Sequence, residues 1–112
     1  MYNISSPRTD DEGLEALIKT KGLTAPRVTQ TDLDANIADV EIVKHVSHGG
    51  QILRWAVLTT RSGFAVTGRP SASVSAENDD AEVGVAVAIG NAKNELWPLM
   101  GYALKERLAQ EK

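Results

Sequence analysis

The spacing of apolar residues changes along the chain, and each change marks a different expected element. Leu14, Leu17 and Ile18 have the i, i+3, i+4 spacing of one helix face. Acidic residues precede them, and two lysines and then Gly22 follow, which is the order that a helix favours. Because this apolar stripe is narrow, residues 1–25 are expected to form a peripheral helix and link. Residues 26–112 are expected to form a single domain.

A second, shorter helix is expected where Thr31 opens the run Thr31-Asp-Leu-Asp34. Thr and Asp at this spacing resemble a capping box, which satisfies backbone N–H groups at a helix start. Leu33 and Ile37 then share one face, and the helix is expected to end near Asp39.

The pattern next changes to the period of two that is typical of strands. Three segments have this character, at residues 40–46, 51–60 and 64–68, and glycine-containing turns at 48–50 and 61–63 separate them. Connections this short join antiparallel strands, whereas parallel strands need long crossovers. The sequence therefore predicts an antiparallel meander of three or four strands.

Helical character returns after a polar loop at residues 69–79. Residues 81–92 are small and apolar on every side, so they are expected to form a helix that is covered on every side. A last helix is expected over 94–108, with Pro98 near its start or at a kink, and with Gly101 allowing close backbone packing. The expected fold class is α+β, with a three- to four-stranded antiparallel meander and helices packed on one face.

The helix over residues 81–92 also predicts assembly. A small sheet and the last helix can cover only part of such a helix, so another subunit is expected to cover the rest. Gly84, Ala88 and Ala92 would allow that close approach. A homodimer or a larger homo-oligomer is therefore expected.

Composition removes several classes of function. The 112 residues include no cysteine and only two histidines, which excludes disulfides and thiol catalysis and leaves His45 and His48 without a third metal ligand nearby. The loop serines Ser71, Ser73 and Ser75 have no matched His-Asp pair, so no serine nucleophile is expected. The formal charge of −3 argues against general nucleic-acid binding, and no apolar run approaches a membrane span. Neither an enzyme nor a cofactor or metal is expected.

Charge is unevenly distributed. Residues 40–72 contain four basic side chains and one acidic one, so the net charge of this segment is +3 and that of the remainder is −6. A basic segment in an acidic protein favours an anionic ligand or an acidic partner surface, although arginines on exposed strands also serve solubility and block edge pairing. Phe64 beside Arg61 can stack a base while the guanidinium holds a phosphate. The alternative is that Phe64 and Trp55 are core residues.

Three motifs between Pro26 and Leu108 carry a family resemblance: Pro26-Arg-Val-Thr29, Gly63-Phe-Ala-Val-Thr-Gly68, and Glu77-Asn-Asp-Asp-Ala-Glu-Val-Gly84 continuing to Trp97-Pro-Leu-Met-Gly-Tyr102 and Leu108. The chain resembles a small-protein family of tailed phages and prophages named after gene product forty-nine of one phage and gene product sixty-six of another. It departs from that pattern at Arg69-Pro70, where the family has one acidic residue, and at Asp79, where it has an aromatic one.

This family is similar to the Thoeris anti-defence sponges, and the resemblance implies a function. It implies a phage protein in the cytoplasm of the infected bacterial host that sequesters cyclic ADP-ribose-type or other cyclic nucleotide signals without cleaving them. The residues expected to contact the ligand are Arg54, Arg61, Phe64, Thr67, Ser71 and Asn78. The alternative is a small phage protein that binds a host protein through its sheet edge or terminal helices. Neither a membrane nor a nucleic acid is an expected partner.

Overall fold

The computed structural model describes residues 10–22 and 25–111. Within them it has helices α1, α2 and α3, strands β1 to β4, and one short 3-10 helix. Their bounds are α1 Asp10–Thr20, α2 Gln30–Ala35, β1 Ile37–Val46, β2 Ile52–Thr60, β3 Ala65–Thr67, β4 Ser71–Ala72, the 3-10 helix Ala76–Asn78, and α3 Ala81–Gln110. The expected α+β fold, an antiparallel sheet with a helix packed on one face, is confirmed.

Strand β2 is the centre of the sheet. It pairs antiparallel with β1 along one side, and with β3 and then β4 along the other. Thr67 lies opposite Val57 and Ser71 lies opposite Arg54, so the outer strand has one residue more than β2 between these pairs. An extra residue of this kind is a β-bulge. The segment Gly68-Arg69-Pro70 therefore interrupts one outer strand, and the expected loop at 69–79 contains β4 and the 3-10 helix.

The capping box of α2 lies two residues earlier than the sequence predicted. The Thr29 hydroxyl accepts a hydrogen bond from the Asp32 N–H at 3.0 Å, and the Asp32 carboxylate accepts one from the Thr29 N–H at 3.0 Å. The predicted pair of Thr31 and Asp34 was wrong because both residues already lie inside the helix. The helix also ends at Ala35, since β1 begins at Ile37 and includes Asp39.

The two helices expected after residue 80 are one continuous helix of 30 residues. Asp80 caps its start by accepting a hydrogen bond from the Val83 N–H at 3.1 Å. Pro98 lies in the interior of this helix, where it cannot donate to the Asn94 carbonyl. Both residues are exposed, so water can bond that carbonyl, and the helix tolerates the proline there.

The core lies between one stripe of α3 and one face of the sheet. It consists of Leu33, Ala56, Leu58, Val66, Ala88, Ala92 and Leu96. Other apolar side chains of α3 remain exposed, including Val83 at 59% and Leu99 at 45%. Because the last expected helix is part of α3 itself, it cannot cover these side chains, and their expected cover by another subunit stays a prediction. Ala88 and Ala92 are buried against the chain's own sheet. A Cβ added at Gly101 would meet nothing within 4 Å, so this glycine allows no close packing among the described residues.

Helix α1 is connected to the domain by an ion pair. The Arg27 guanidinium contacts the Glu15 carboxylate with both of its Nη nitrogens, at 2.7 and 3.0 Å. The apolar side chains Leu14 and Leu17 remain about half exposed. Among the described helices, none is long and apolar enough to cross a membrane.

Candidate functional site

The six residues predicted to bind a ligand do not converge on one site. Arg54 lies near the start of β2, and Arg61 follows its end. Six residues of β2 lie between them, and the seven steps along the chain correspond to about 23 Å at the usual rise of about 3.3 Å per residue. The predicted set is therefore divided between opposite ends of the sheet, and each end has to be considered separately.

At the first end, Arg54 is engaged by a carboxylate of its own chain. Its two Nη nitrogens donate to the two Asp79 oxygens at 2.7 and 3.0 Å, and the arginine is only 6% exposed. The Ser73 hydroxyl adds a third hydrogen bond to Asp79 at 3.0 Å. The bidentate contact with Arg54, opposed by partial burial, lowers the pKa of Asp79 to about 2. Arg54 thus anchors the loop before α3, and its Nη groups are occupied.

Ser71 has a similar anchoring role. Its hydroxyl lies 2.9 Å from the Gly84 carbonyl oxygen, which joins β4 to the first turns of α3. Gly84 has no side chain, and a Cβ there would lie 3.0 Å from the Arg54 Nη1 atom. Small or absent side chains at this junction let Arg54 pass between β4 and the helix.

Thr67, Asn78 and Phe64 are exposed. Thr67 lies in β3, and Asn78 is the last residue of the 3-10 helix. Phe64 is 59% exposed, so the core interpretation of its ring was wrong. Trp55 is half-buried on the sheet face opposite the core, where its ring centroid lies 6.4 Å from that of His45.

At the other end of β2 the structure forms a pocket of about 460 Å³, which we call the arginine pocket. Three separate parts of the chain each contribute an arginine to it, and α3 supplies most of its apolar side chains. The lining residues are Arg27, Val28, Asp32, Ala35, Asn36, Arg61, Met100, Ala103, Leu104 and Arg107. Pockets of this size, largely apolar with a few polar groups, are typical small-molecule sites.

Two of these arginines are held by neighbouring groups. Arg61 donates from Nε to the Ala35 carbonyl, and its backbone N–H donates to the Asn36 carbonyl at 3.0 Å. This leaves the Nη groups of Arg61 without a hydrogen-bond partner among the described residues. Arg27 is oriented by Glu15, and that charged contact raises the pKa of Arg27 further above its usual range.

The third arginine is more exposed. The Arg107 side chain is 67% accessible, and its Nε lies 3.9 Å from a Glu111 oxygen, beyond hydrogen-bond distance. Asp32 is the one carboxylate among the described lining residues. Its hydrogen bonds with Thr29 lower its pKa, and the charges of Arg27 and Arg107 lower it further. Of the three arginines, Arg27 is already paired with Glu15 through both Nη nitrogens. Arg61 and Arg107 therefore remain to bind a ligand, and an anion is the ligand that they favour.

Of the arginines in this pocket, the sequence identified only Arg61. Arg27 and Arg107 are separated from it by dozens of residues, and neither belongs to the basic segment at 40–72. A usable signal was nevertheless present, because Arg27 lies in the first recognised motif and Arg107 in the last. Phe64 comes directly after the turn that begins at Arg61, but it does not line the pocket.

A family model described as the phage protein (N4 Gp49/phage Sf6 gene 66) family matches residues 28–108. The chain belongs to this family. The match covers most of the domain, including Arg61 and Arg107, and begins one residue after Arg27. No curated protein and no solved structure matches the chain. Family membership identifies a phage protein, and the arginine pocket is the feature from which its activity is inferred below.

Proposed function

We propose that this phage protein sequesters a cyclic ADP-ribose-type nucleotide signal, or another cyclic nucleotide, in the arginine pocket without cleaving it. It would act as an anti-defence sponge in the cytoplasm of the infected bacterium. The observation that carries the proposal is the convergence of Arg27, Arg61 and Arg107, from three separate parts of the chain, around an apolar floor.

The chemistry of the pocket fits a phosphorylated nucleotide. A guanidinium presents paired donors that match phosphate oxygens, and each such charged hydrogen bond contributes about 1.5–3 kcal/mol. The Nη groups of Arg61 are available for that contact, since Nε alone is used by the Ala35 carbonyl. Met100 and Leu104 offer apolar surface to a base or ribose. Phosphate recognition by arginine and apolar contact with the base together support a nucleotide.

Sequestration is favoured over turnover because the pocket lacks a competent base. The carboxylate that lines it, Asp32, already accepts the Thr29 N–H, and its pKa is lowered. A general base works best with a pKa near the working pH. The described lining residues include no histidine, lysine, serine or tyrosine. These features support binding without hydrolysis.

Isothermal titration calorimetry with cyclic ADP-ribose isomers tests the proposal. We expect saturable binding by the full chain, and chromatography of the ligand released on heating should return it intact. Adenosine, which has the base and ribose but no phosphate, is the matched control and should bind far more weakly. The absence of binding to every isomer would overturn the sponge function. Recovery of a hydrolysed product would assign the protein to an enzyme class.

The alternative, binding of a host protein, is supported by a different surface. Helix α3 exposes Leu99 and Tyr102, which are three residues apart and therefore neighbours on the helix surface, at 45% and 68%. Exposed apolar patches are typical of protein contacts. If nucleotides fail to bind while a purified host protein is retained, and Tyr102→Ala abolishes that retention, the alternative replaces the sponge function.

A further inference from the structure

The outer edge of β1 has free backbone hydrogen-bonding groups. Within residues 10–22 and 25–111, β1 pairs only with β2. The Ser47 N–H donates to the Gln51 carbonyl at 2.8 Å, in the same register as the strand pairs. Since bonded and non-bonded pairs alternate in antiparallel sheets, the odd-numbered residues of β1 bond to β2. The even-numbered residues point their N–H and C=O groups away from the sheet, and these are Val40, Ile42, Lys44 and Val46.

The side chains of this edge are also uncovered. Val40, Ile42 and Val46 are 43%, 38% and 52% exposed, on the side of the sheet that carries α3. Helix α3 packs mainly on β2, β3 and β4, and leaves this row open. Natural edge strands are usually protected by prolines, bulges or charged side chains. Between Asp39 and Val46 this edge has neither a proline nor a bulge.

Lys44 is the basic side chain in this row, and its neighbour across the sheet is also basic. Lys44 lies directly opposite Arg54 in the register of β1 and β2. Its positive charge also contributes to the lowered pKa of Asp79, beyond the arginine. Lys44 thus lies on the face of the sheet that carries α3, where it is exposed.

We propose that a second copy of this chain pairs with β1 across a twofold axis, antiparallel and centred on Val43. The two four-stranded sheets then become one continuous sheet, with both α3 helices on the same side. This interface is separate from the arginine pocket, so it stands or fails independently of the proposed nucleotide binding.

The register follows from charge and from the available backbone groups. Centring on Val43 places Val40 opposite Val46, Ile42 opposite Lys44, and Glu41 opposite His45. The first pair joins two apolar side chains, the second places the lysine chain beside an isoleucine, and the third brings a carboxylate beside an imidazole. Centring on Lys44 would instead bring two lysines together. Centring on Ile42 would require backbone bonds from Ala38, which lies at the irregularity between Ile37 and Asp39.

The cysteine-free chain allows a direct test by crosslinking. In a non-hydrogen-bonded antiparallel pair the Cα atoms lie about 4.5 Å apart, within the range of a disulfide. We expect Val43→Cys to form a covalent dimer as its main oxidised product at micromolar concentration. Ile42→Cys should remain largely uncrosslinked, because in this register its copies are diagonal neighbours. Lys105→Cys, exposed on α3, is the control for random collision.

Two measurements complete the test. Light scattering of the unmodified chain should show twice the mass of 12.0 kDa as concentration rises. Glu41→Lys should weaken the dimer roughly tenfold, and adding His45→Glu should restore it. A mass of one chain at every concentration would overturn the proposal. So would crosslinking of Ile42→Cys in place of Val43→Cys, or a dimer that crosslinks at neither position.

Discussion

Gly68 lies directly against the backbone of Ala92. A Cβ built at Gly68 would stand 2.3 Å from the Ala92 nitrogen, a distance that no side chain can occupy. The contact brings the bulged outer strand onto α3, and the Asn91 side chain reinforces it by donating to the Arg69 carbonyl at 2.9 Å. The absence of a side chain at position 68 is thus a condition for packing the helix on the sheet.

Gly68→Ala should therefore be severely destabilising. The added methyl group meets backbone atoms that cannot rotate away, so we expect a loss of about 3 kcal/mol or more in unfolding free energy. Gly101→Ala is the matched control, because a Cβ there meets nothing within 4 Å. That substitution should stabilise the helix by about 0.5–1 kcal/mol. Urea denaturation of both variants measures the difference, and equal effects would contradict the packing.

The Arg54–Asp79 pair predicts a pH dependence of stability. The pKa of Asp79 is lowered from 3.8 to about 2, so its contribution is complete above its ordinary pKa and is lost as the pH falls through about 2. Asp79→Asn should lower the melting temperature at pH 7 by several degrees. This difference from the wild type should shrink steadily as the pH falls from about 5 to about 2.

Ser73→Ala provides a graded comparison for that experiment. It removes the weaker hydrogen bond to Asp79 and leaves the arginine contact in place. Ser73→Ala should lower the melting temperature less than Asp79→Asn does. Its difference from the wild type should shrink over the same pH range. If Asp79→Asn differs from the wild type by a constant amount at every pH, the ionised pair is not the source of the effect.

The arginine pocket predicts which substitutions reduce nucleotide binding. Arg61→Ala and Arg107→Ala should each weaken binding about tenfold or more, since each removes charged hydrogen bonds to phosphate. Arg69→Ala should leave the affinity unchanged, because Arg69 lies in the same basic segment but outside the pocket. Isothermal titration calorimetry measures the affinity of each variant for the nucleotide. An equal loss for all three variants would indicate a general effect of net charge.

Phe64 separates ligand binding from folding. Its ring is 59% exposed, so Phe64→Ala should change the free energy of unfolding by no more than about 0.5 kcal/mol. Leu58→Ala removes a fully buried side chain and should cost about 2–5 kcal/mol. If Phe64→Ala keeps its stability but loses nucleotide affinity, the ring contacts the ligand from beside the pocket. An unchanged affinity would remove Phe64 from the set of candidate ligand contacts.

The order and type of most elements follow from local features of the sequence. The period of two over residues 40–67 and the glycine turns defined the meander, because strand alternation and tight turns are local properties. The predicted boundary between two helices near residue 93 also rested on a local signal, and it was wrong. Pro98 is a strong local signal to interrupt a helix, but α3 continues through it with Pro98 and Asn94 both exposed, and exposure is a property of the tertiary structure.

The site depended on the tertiary structure alone. Arg54 looked like a ligand-binding residue until Asp79, 25 positions away, proved to occupy both of its Nη groups. Arg27 and Arg107 lie in the recognised motifs, but the motifs do not place them beside Arg61. Their proximity results from the packing of α2 and of the β2–β3 turn against the end of α3. A sequence records which side chains carry charge. Folding decides which of those charges neutralise one another and which remain available to a ligand.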